Sequence, residues 1–100
     1  MEKRSPHYPL STVKALVADA STRCITRTAF EGAAALGIDR HGIVAAVLAL
    51  KPKNFYKSMT VTDDSRTWQD VYHASHADIS LYIKVQVVEG KGVIISFKER

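Results

Sequence analysis

The sequence predicts an α+β fold, in which N-terminal helices pack on one face of a mainly antiparallel sheet formed by the C-terminal half. Up to Pro52, apolar residues recur every three or four positions, which is typical of amphipathic helices. After Pro52 they alternate with polar residues, as they do in half-buried strands. Helices that all precede the strands favour this architecture over one in which the two alternate along the chain.

Length and composition predict one domain spanning residues 1–100. With 46% hydrophobic and 24% charged residues, the chain is expected to bury one modest core. A formal net charge of +4 points to an acidic or polyanionic partner, although composition alone carries little weight here. Cys24 has no second cysteine to pair with, and the chain shows neither a secretion signal nor an apolar run of membrane-spanning length. We therefore expect a cytoplasmic protein without membrane contact.

The start of the chain predicts an extended segment followed by a short helix. Residues 1–9 are polar and contain two prolines, which favours an extended lead-in. Ser11 can cap a first helix over residues 12–20. The polar stretch that follows, residues 20–27, is ambiguous, and a short strand is one possibility.

Two further helices complete the first half. Thr28 and Glu31 match the capping-box pattern, and Gly37 is well placed to end the alanine-rich helix that they begin. Asp39 can cap a third helix, which is almost entirely apolar and ends before Pro52. This third helix is expected to be the buried one.

The second half predicts four strands, at residues 55–62, 66–73, 79–88 and 93–97. The expected turns between them cover residues 63–65, 74–78 and 89–92, all of which contain turn-forming residues.

Strand pairing in the last hairpin brings polar residues together. One face must bury the apolar residues Leu81, Ile83, Val85, Val87, Val93, Ile95 and Phe97. Because all are odd-numbered, the connection needs an odd number of loop residues or a bulge. A three-residue loop centred on Gly90 sets Tyr82 opposite Lys98. The same register sets Lys84 opposite Ser96, and opposed side chains lie about 5 Å apart.

In the preceding hairpin, Lys57 is a candidate functional residue. A loop centred on Asp63 would set Lys57 opposite Gln69, and Lys57 interrupts an otherwise apolar stripe. If the strands share one sheet, four polar residues can converge: Lys57, Gln69, Tyr82 and Lys98. The alternative is ordinary surface chemistry, in which lysines solubilise the sheet and discourage edge pairing.

Other candidate groups give weaker signals. By residue type, Tyr56, Trp68 and Tyr72 are expected to be core aromatics with polar tips at water rather than base-stacking rings. His73 and His76 have a ligand-like spacing but lack a third ligand, so no metal site is expected. The glycines show no phosphate-loop spacing, and no cofactor is expected.

Five short segments, in order along the whole chain, carry a resemblance to a known family. They are MEKRSPH at residues 1–7, FYKSMT at 55–60, WQDVY at 68–72, LYIK at 81–84 and ISFKE at 95–99. Together they make the chain resemble the MqsR family, the motility quorum-sensing regulator toxins of bacterial toxin–antitoxin systems.

The resemblance implies a RelE-like α+β fold and a sequence-selective mRNA endoribonuclease. Such a toxin acts without a metal, prefers GCU-like triplets and slows growth by degrading transcripts. The implied partners are mRNA and a cognate antitoxin, a zinc-containing DNA-binding protein. Operator DNA would then be reached only through that antitoxin.

The resemblance also implies the site residues. The catalytic set is Lys57, Gln69, Tyr82 and Lys98, and the expected RNA contacts are Lys84, His73 and Tyr56. In the implied reaction an RNA 2′-hydroxyl attacks the adjacent phosphorus, leaving a cyclic phosphate and a 5′-hydroxyl. Clustered lysines lower one another's pKa, so a neutral lysine or His73 is a candidate base, with Tyr82 or another lysine as the acid.

Two other functional classes fit the residues. A non-catalytic nucleic-acid-binding module would use the same basic sheet as an electrostatic platform. An interaction domain would instead pair its exposed sheet edge with a partner strand.

Overall fold

The computed structural model describes all 100 residues and confirms the α+β class. Three helices pack on one side of a six-stranded sheet. The helices are α1 (Leu10–Ala18), α2 (Arg27–Ala34) and α3 (Arg40–Leu48), and a single 3₁₀ turn covers Pro52–Asn54. The strands are β1 (Glu2–Lys3), β2 (Arg23–Ile25), β3 (Phe55–Val61), β4 (Asp64–His76), β5 (Ile79–Val88) and β6 (Lys91–Glu99). With at most nine residues each, the helices are too short to cross a lipid bilayer.

The four predicted strands form the middle of the sheet, whose order is β1-β3-β4-β5-β6-β2. Each sequence neighbour among them pairs antiparallel, whereas β2 runs parallel to β6. The lead-in was not predicted to contain a strand, yet β1 pairs with β3, and β2 occupies the ambiguous stretch. Strands of two or three residues show no usable periodicity, because their pairing depends on the backbone edge that they meet.

All three turns between the central strands are shorter than predicted, and two of them have positive φ at both residues. The β4–β5 turn contains only Ala77 and Asp78, with φ of 50° and 66°, and the β5–β6 turn contains Glu89 and Gly90, with φ of 49° and 75°. Positive φ at both central residues is the conformation whose twist matches paired strands. Residues other than glycine seldom adopt positive φ, and three of these four residues are not glycine. The sequence therefore predicted longer turns and shorter strands than the structure has.

The first predicted helix cap is wrong. Helix α1 begins at Leu10 directly after Pro9, without a side-chain cap, and Ser11 lies inside its first turn. Lys14 on this helix donates to the carbonyl of Leu50, which ties α1 to the end of α3.

The second cap is displaced and the third is confirmed. Thr26, rather than Thr28, caps α2, since its hydroxyl accepts a hydrogen bond from the backbone N–H of Ala29 at 3.1 Å. Asp39 caps α3 by accepting from the backbone N–H of Gly42 at 2.9 Å. Gly37, with φ of 74°, lies just past α2 as predicted.

The core lies between the helices and one face of the sheet. Its fully buried members include Val13 and Val17 of α1, Ile43 and Val47 of α3, and Leu81, Ile83 and Val85 of β5. Helix α3 has three buried residues against two in each of α1 and α2, so every helix buries one face and α3 is not set apart as the buried helix that was expected. Helix α2 approaches β6 so closely that a Cβ on Gly32 would lie 2.1 Å from the carbonyl oxygen of Phe97.

In the last hairpin the predicted pairs are confirmed, and a bulge resolves the parity problem. Tyr82 pairs with Lys98 and Lys84 with Ser96, but the next residue of β5, Val85, pairs with Ile94. Ile95 is therefore the extra residue of a β-bulge. As a consequence Ile94 is fully buried in the core, in the position predicted for Ile95.

The register predicted for the first hairpin is wrong by two residues. Lys57 lies opposite Val71, and Gln69 lies opposite Met59. Register shifts occur near both ends of β3, so counting back from a turn centred on Asp63 cannot locate the pairs.

Candidate active site

The sheet face opposite the helices carries the predicted site residues in rows that cross the strands. The first row holds His73, Tyr82 and Lys98, on β4, β5 and β6 respectively. The second holds Lys57, Val71, Lys84 and Ser96, and the third holds Met59, Gln69 and Gln86. Residues paired across antiparallel strands share a face, so all these side chains project from the same side.

Lys57 is held as a cation by an acid from the N-terminal strand. Its ammonium donates to the Glu2 carboxylate at 2.7 Å, and the Lys57 side chain is only 19% exposed. This hydrogen bond raises the pKa of Lys57 and lowers the pKa of Glu2. Glu2 was not identified from the sequence, because an acid in a polar lead-in follows no strand pattern.

Lys84 has the opposite environment. It stands beside Val71, which is 0% exposed although it lies on the polar face. Burial, together with the nearby charges of Lys98 and Lys57, lowers the pKa of Lys84. Lys84 therefore gives up its proton more readily than a free lysine, whereas Lys57 holds its proton more firmly.

Tyr82 is the aromatic centre of this cluster. The ammonium nitrogens of Lys98 and Lys84 lie 5.0 and 5.9 Å from its ring centroid. Burial raises the pKa of the Tyr82 hydroxyl, and the charge of Lys57 only partly opposes this effect. The phenol therefore keeps its proton at neutral pH and can act as a donor.

Three rings form a continuous aromatic surface next to the lysines. Tyr56 stacks on His73, with ring centroids 4.2 Å apart and planes 20° apart, and the centroids of His73 and Tyr82 are 6.1 Å apart. Burial, Arg100 and Lys57 together lower the pKa of His73, so its imidazole is neutral at physiological pH. Tyr56 is 40% exposed, so its expected place in the core is wrong.

The other two aromatic residues lie on the opposite face. Trp68 is half-buried and stacks on His7 of the N-terminal segment, with ring centroids 5.5 Å apart. Tyr72 is fully buried as expected, but its hydroxyl has no hydrogen-bond partner, so the predicted contact of its tip with water is wrong.

Gln69 lies at the margin of the site. Its side-chain amide donates to the amide oxygen of Gln86 at 3.0 Å, in the row farthest from Lys98. The structure thus brings Lys57, Tyr82 and Lys98 around Lys84, and places Gln69 beside that group. Gln86 was missed in the sequence, where it is one of several polar residues on an alternating strand.

A buried carboxylate anchors the segment that carries Glu2. Asp70 is fully buried and accepts hydrogen bonds from the backbone N–H groups of His7 and Tyr8 at 2.9 to 3.1 Å. The Tyr8 hydroxyl also donates to the backbone carbonyl of Trp68 at 2.8 Å. These bonds hold residues 1–9 against β3 and β4, and so they help to position Glu2 beside Lys57.

The fold and site define a class of protein. Cations on a sheet face are suited to phosphate oxygens, and neighbouring exposed rings are suited to unpaired bases. A phenol that keeps its proton and a lysine whose pKa is lowered add groups suited to proton transfer. These are the features of a small α+β domain with a site for single-stranded nucleic acid. No three His, Cys, Asp or Glu side chains are grouped as metal ligands.

Comparison with known proteins supplies the family. The family described as "Motility quorum-sensing regulator, toxin of MqsA" matches residues 5–99. The mRNA interferase toxin MqsR of Escherichia coli (strain K12) is 42% identical over 100 residues, which cover the whole of both chains. The chain therefore belongs to this toxin family, and the resemblance found in the sequence is confirmed.

Proposed function

We propose that this protein is the toxin of a type II toxin–antitoxin system and a sequence-selective mRNA endoribonuclease. Cleavage at GCU-like sites would inhibit translation and growth. The observation that carries the proposal is that Lys57, Lys84 and Lys98 share one sheet face with Tyr82, with Lys84 and Lys98 next to its ring. Family membership and the name of the E. coli relative support it.

The proposed reaction needs no resident metal or cofactor. The RNA 2′-oxygen bonds to the adjacent phosphorus and loses its proton to a base. The bond from phosphorus to the 5′-oxygen then breaks, and that oxygen takes a proton from an acid. The products are a 2′,3′-cyclic phosphate and a 5′-hydroxyl. Lys57 and Lys98 stabilise the charge that develops on the phosphate oxygens in the transition state.

Lys84, expected from the sequence as an RNA contact, suits the role of base better. Its lowered pKa increases the fraction in which the amine is neutral, and it lies between two cations that the phosphate would engage. Tyr82 suits the role of acid because its hydroxyl remains protonated. A departing alkoxide is a far stronger base than a phenolate, so this transfer is favourable.

The remaining predicted residues would recognise RNA. Tyr56 presents an exposed ring backed by His73, on which a base can stack. The pair Gln69 and Gln86 presents amide donors and acceptors suited to a base edge. A neutral His73 is also a candidate base, and a His73→Gln variant that keeps full activity would remove it from that role.

We further propose the partners and the setting of this activity. Residues 1–100 act as one endoribonuclease domain on mRNA in the cytoplasm. A cognate, zinc-containing DNA-binding antitoxin of the MqsA type would bind the toxin, and operator DNA would be contacted only through it. The toxin-family description supports an antitoxin partner.

One experiment separates this proposal from the other two classes. The purified protein is incubated with an end-labelled transcript in excess chelator, and the new ends are mapped. Cyclic-phosphate ends at chosen triplets are expected. A mobility shift without cleavage would indicate a binding module, and neither result would indicate an interaction domain.

Two variants test the proposed catalytic roles of Lys57 and Lys98. Lys57→Ala and Lys98→Ala are expected to abolish both cleavage and growth arrest. Circular dichroism checks that each remains folded. Cleavage at the normal rate by either folded variant would refute its catalytic assignment.

A further inference from the structure

A polar groove of about 360 Å³ opens next to the site, in front of the first residue of β3. We call it the basic groove, and its polar lining includes Lys51, Lys53, Asn54, His73, Ser80 and Arg100. Only His73 is shared with the site, as part of the aromatic surface and as the alternative candidate base, and the other groove side chains have no role in the proposed cleavage chemistry.

The strand lengths create the groove. Strand β3 begins at Phe55, which lies opposite Tyr72, so β4 has no strand neighbour on that side from His73 onward. The 3₁₀ turn Pro52–Asn54 borders this gap, and it is tied to its own start because Asn54 accepts from the backbone N–H of Lys51 at 2.8 Å. On the far side, the backbone N–H of Arg100 donates to the carbonyl of Ser80 at 2.9 Å.

The groove is strongly cationic. Lys51, Lys53 and Arg100 are exposed and make no ion pair, and no Asp or Glu side chain lines the groove. Lys57, by contrast, is already paired with Glu2. Unpaired cations that share a groove attract a polyanion strongly, because each neutralised phosphate releases condensed counterions.

The groove is continuous with the site through His73. This residue lines the groove and also stacks on Tyr56 within the aromatic surface. Ser80 is two residues before Tyr82 on the same strand, so their Cα atoms are about 7 Å apart and their side chains share a face. A strand of RNA with its scissile phosphate at Tyr82 can therefore continue into the groove without crossing the sheet.

We propose that the basic groove binds the backbone phosphates of the single-stranded RNA on one side of the cleaved triplet. Lys51 and Lys53 contact these phosphates from the 3₁₀ turn, and Arg100 contacts them from the end of β6. The groove thereby sets affinity for long transcripts, while the site itself selects the triplet and cleaves. This inference rests on the proposed endoribonuclease function.

The test uses three fluorescent, non-cleavable 2′-O-methyl RNAs. One is a short core around GCU, and the others carry the same core with an oligouridine extension at the 5′ or the 3′ end. The wild-type protein is expected to bind one extended RNA several-fold more tightly than the core. In Lys51→Ala/Lys53→Ala this gain is lost, and the salt slope of log K for that RNA becomes shallower by about 0.7 per lysine.

A matched control variant distinguishes an effect of the groove from an effect of the net charge of the protein. Arg27→Ala/Arg40→Ala removes the same charge from α2 and α3, on the helix side of the sheet, and should keep the full gain. The inference is overturned if neither extension improves wild-type binding, if the groove variant keeps the gain, or if the control loses it equally. Cleavage of a 2′-hydroxyl core RNA by the wild-type protein tests the endoribonuclease function separately, so failure of one proposal is distinguishable from failure of the other.

Discussion

Replacing Lys84 with arginine tests the proposed base while keeping its charge. Lys84 lies between Val71 and Ser96 on the site face, and burial is the main cause of its lowered pKa. Arginine keeps a positive charge and hydrogen-bond donors at this position, but it does not lose its proton in proteins. Lys84→Arg therefore removes proton transfer and leaves phosphate attraction in place.

The expected loss can be given a magnitude. A positioned general base contributes about 10² to 10⁴ in rate, which corresponds to about 3 to 5 kcal/mol of activation free energy. A free lysine is neutral in only about one molecule in 2,500 at pH 7. Burial and the charges of Lys98 and Lys57 raise that fraction in the folded protein, as the proposed role of base requires.

The assay is single-turnover cleavage of a saturating labelled RNA across a range of pH. The wild-type rate should rise about tenfold per pH unit below the pKa of Lys84 and then level off. Lys84→Arg should be at least about 100-fold slower, without that slope, while its affinity for a 2′-O-methyl RNA stays within a few-fold. Lys91→Arg, in the β5–β6 hairpin, is the control. Wild-type rate and slope in Lys84→Arg would refute the assignment.

Four further predictions concern the surroundings of the site. Glu2→Gln removes the carboxylate that competes with phosphate for Lys57, so RNA affinity measured by fluorescence anisotropy should increase; weaker binding would show instead that Glu2 orients Lys57 for RNA. Asp70→Ala leaves the backbone N–H groups of His7 and Tyr8 without their acceptor, which should lower the free energy of unfolding in urea by about 2 to 5 kcal/mol; a loss below about 1 kcal/mol, as expected for the exposed control Asp63→Ala, would contradict this. Burial raises the pKa of Tyr72 to about 12, above the unfolded value of about 10, so the wild-type protein should progressively lose stability as pH rises from about 10 to 12, by up to about 3 kcal/mol. Tyr72→Phe should lack this part of the loss, and identical alkaline unfolding curves would refute the reasoning. Gly32→Ala should destabilise the protein by about 1 to 3 kcal/mol, because the added Cβ would meet the carbonyl of Phe97; an unchanged melting temperature would show that α2 can move away from β6 at little cost.

Much of the sheet was predictable because one of its faces is buried. Alternation located all four central strands, and burial of Leu81 and Ile83, together with a three-residue loop centred on Gly90, predicted the register that sets Tyr82 opposite Lys98. A shift of one residue would expose that whole apolar set, so this pairing is strongly specified. The same logic placed Asp39 at the start of α3, where the amphipathic pattern begins abruptly.

Predictions that relied on a single local signal were less reliable. Thr28 followed by Glu31 matched a capping box, but Thr26 is the cap, and the exposed Glu31 pairs with Arg27 at 3.2 Å. The pair of Lys57 with Gln69 failed because β3 contains irregularities that side-chain alternation does not reveal. A bulge changes the count of residues without changing composition.

The sequence by itself determined the α+β class, the last hairpin and the toxin family, because apolar periodicity reports which face is buried and the family segments lie throughout the chain. Tertiary structure decided which lysine has a raised pKa, Lys57, and which has a lowered one, Lys84. Glu2 reaches Lys57 because β1 joins the edge of β3, and Lys84 is partly buried on the sheet face, near the charges of Lys98 and Lys57. Such effects arise between residues far apart in the chain, and a pKa depends on the groups that surround it in space.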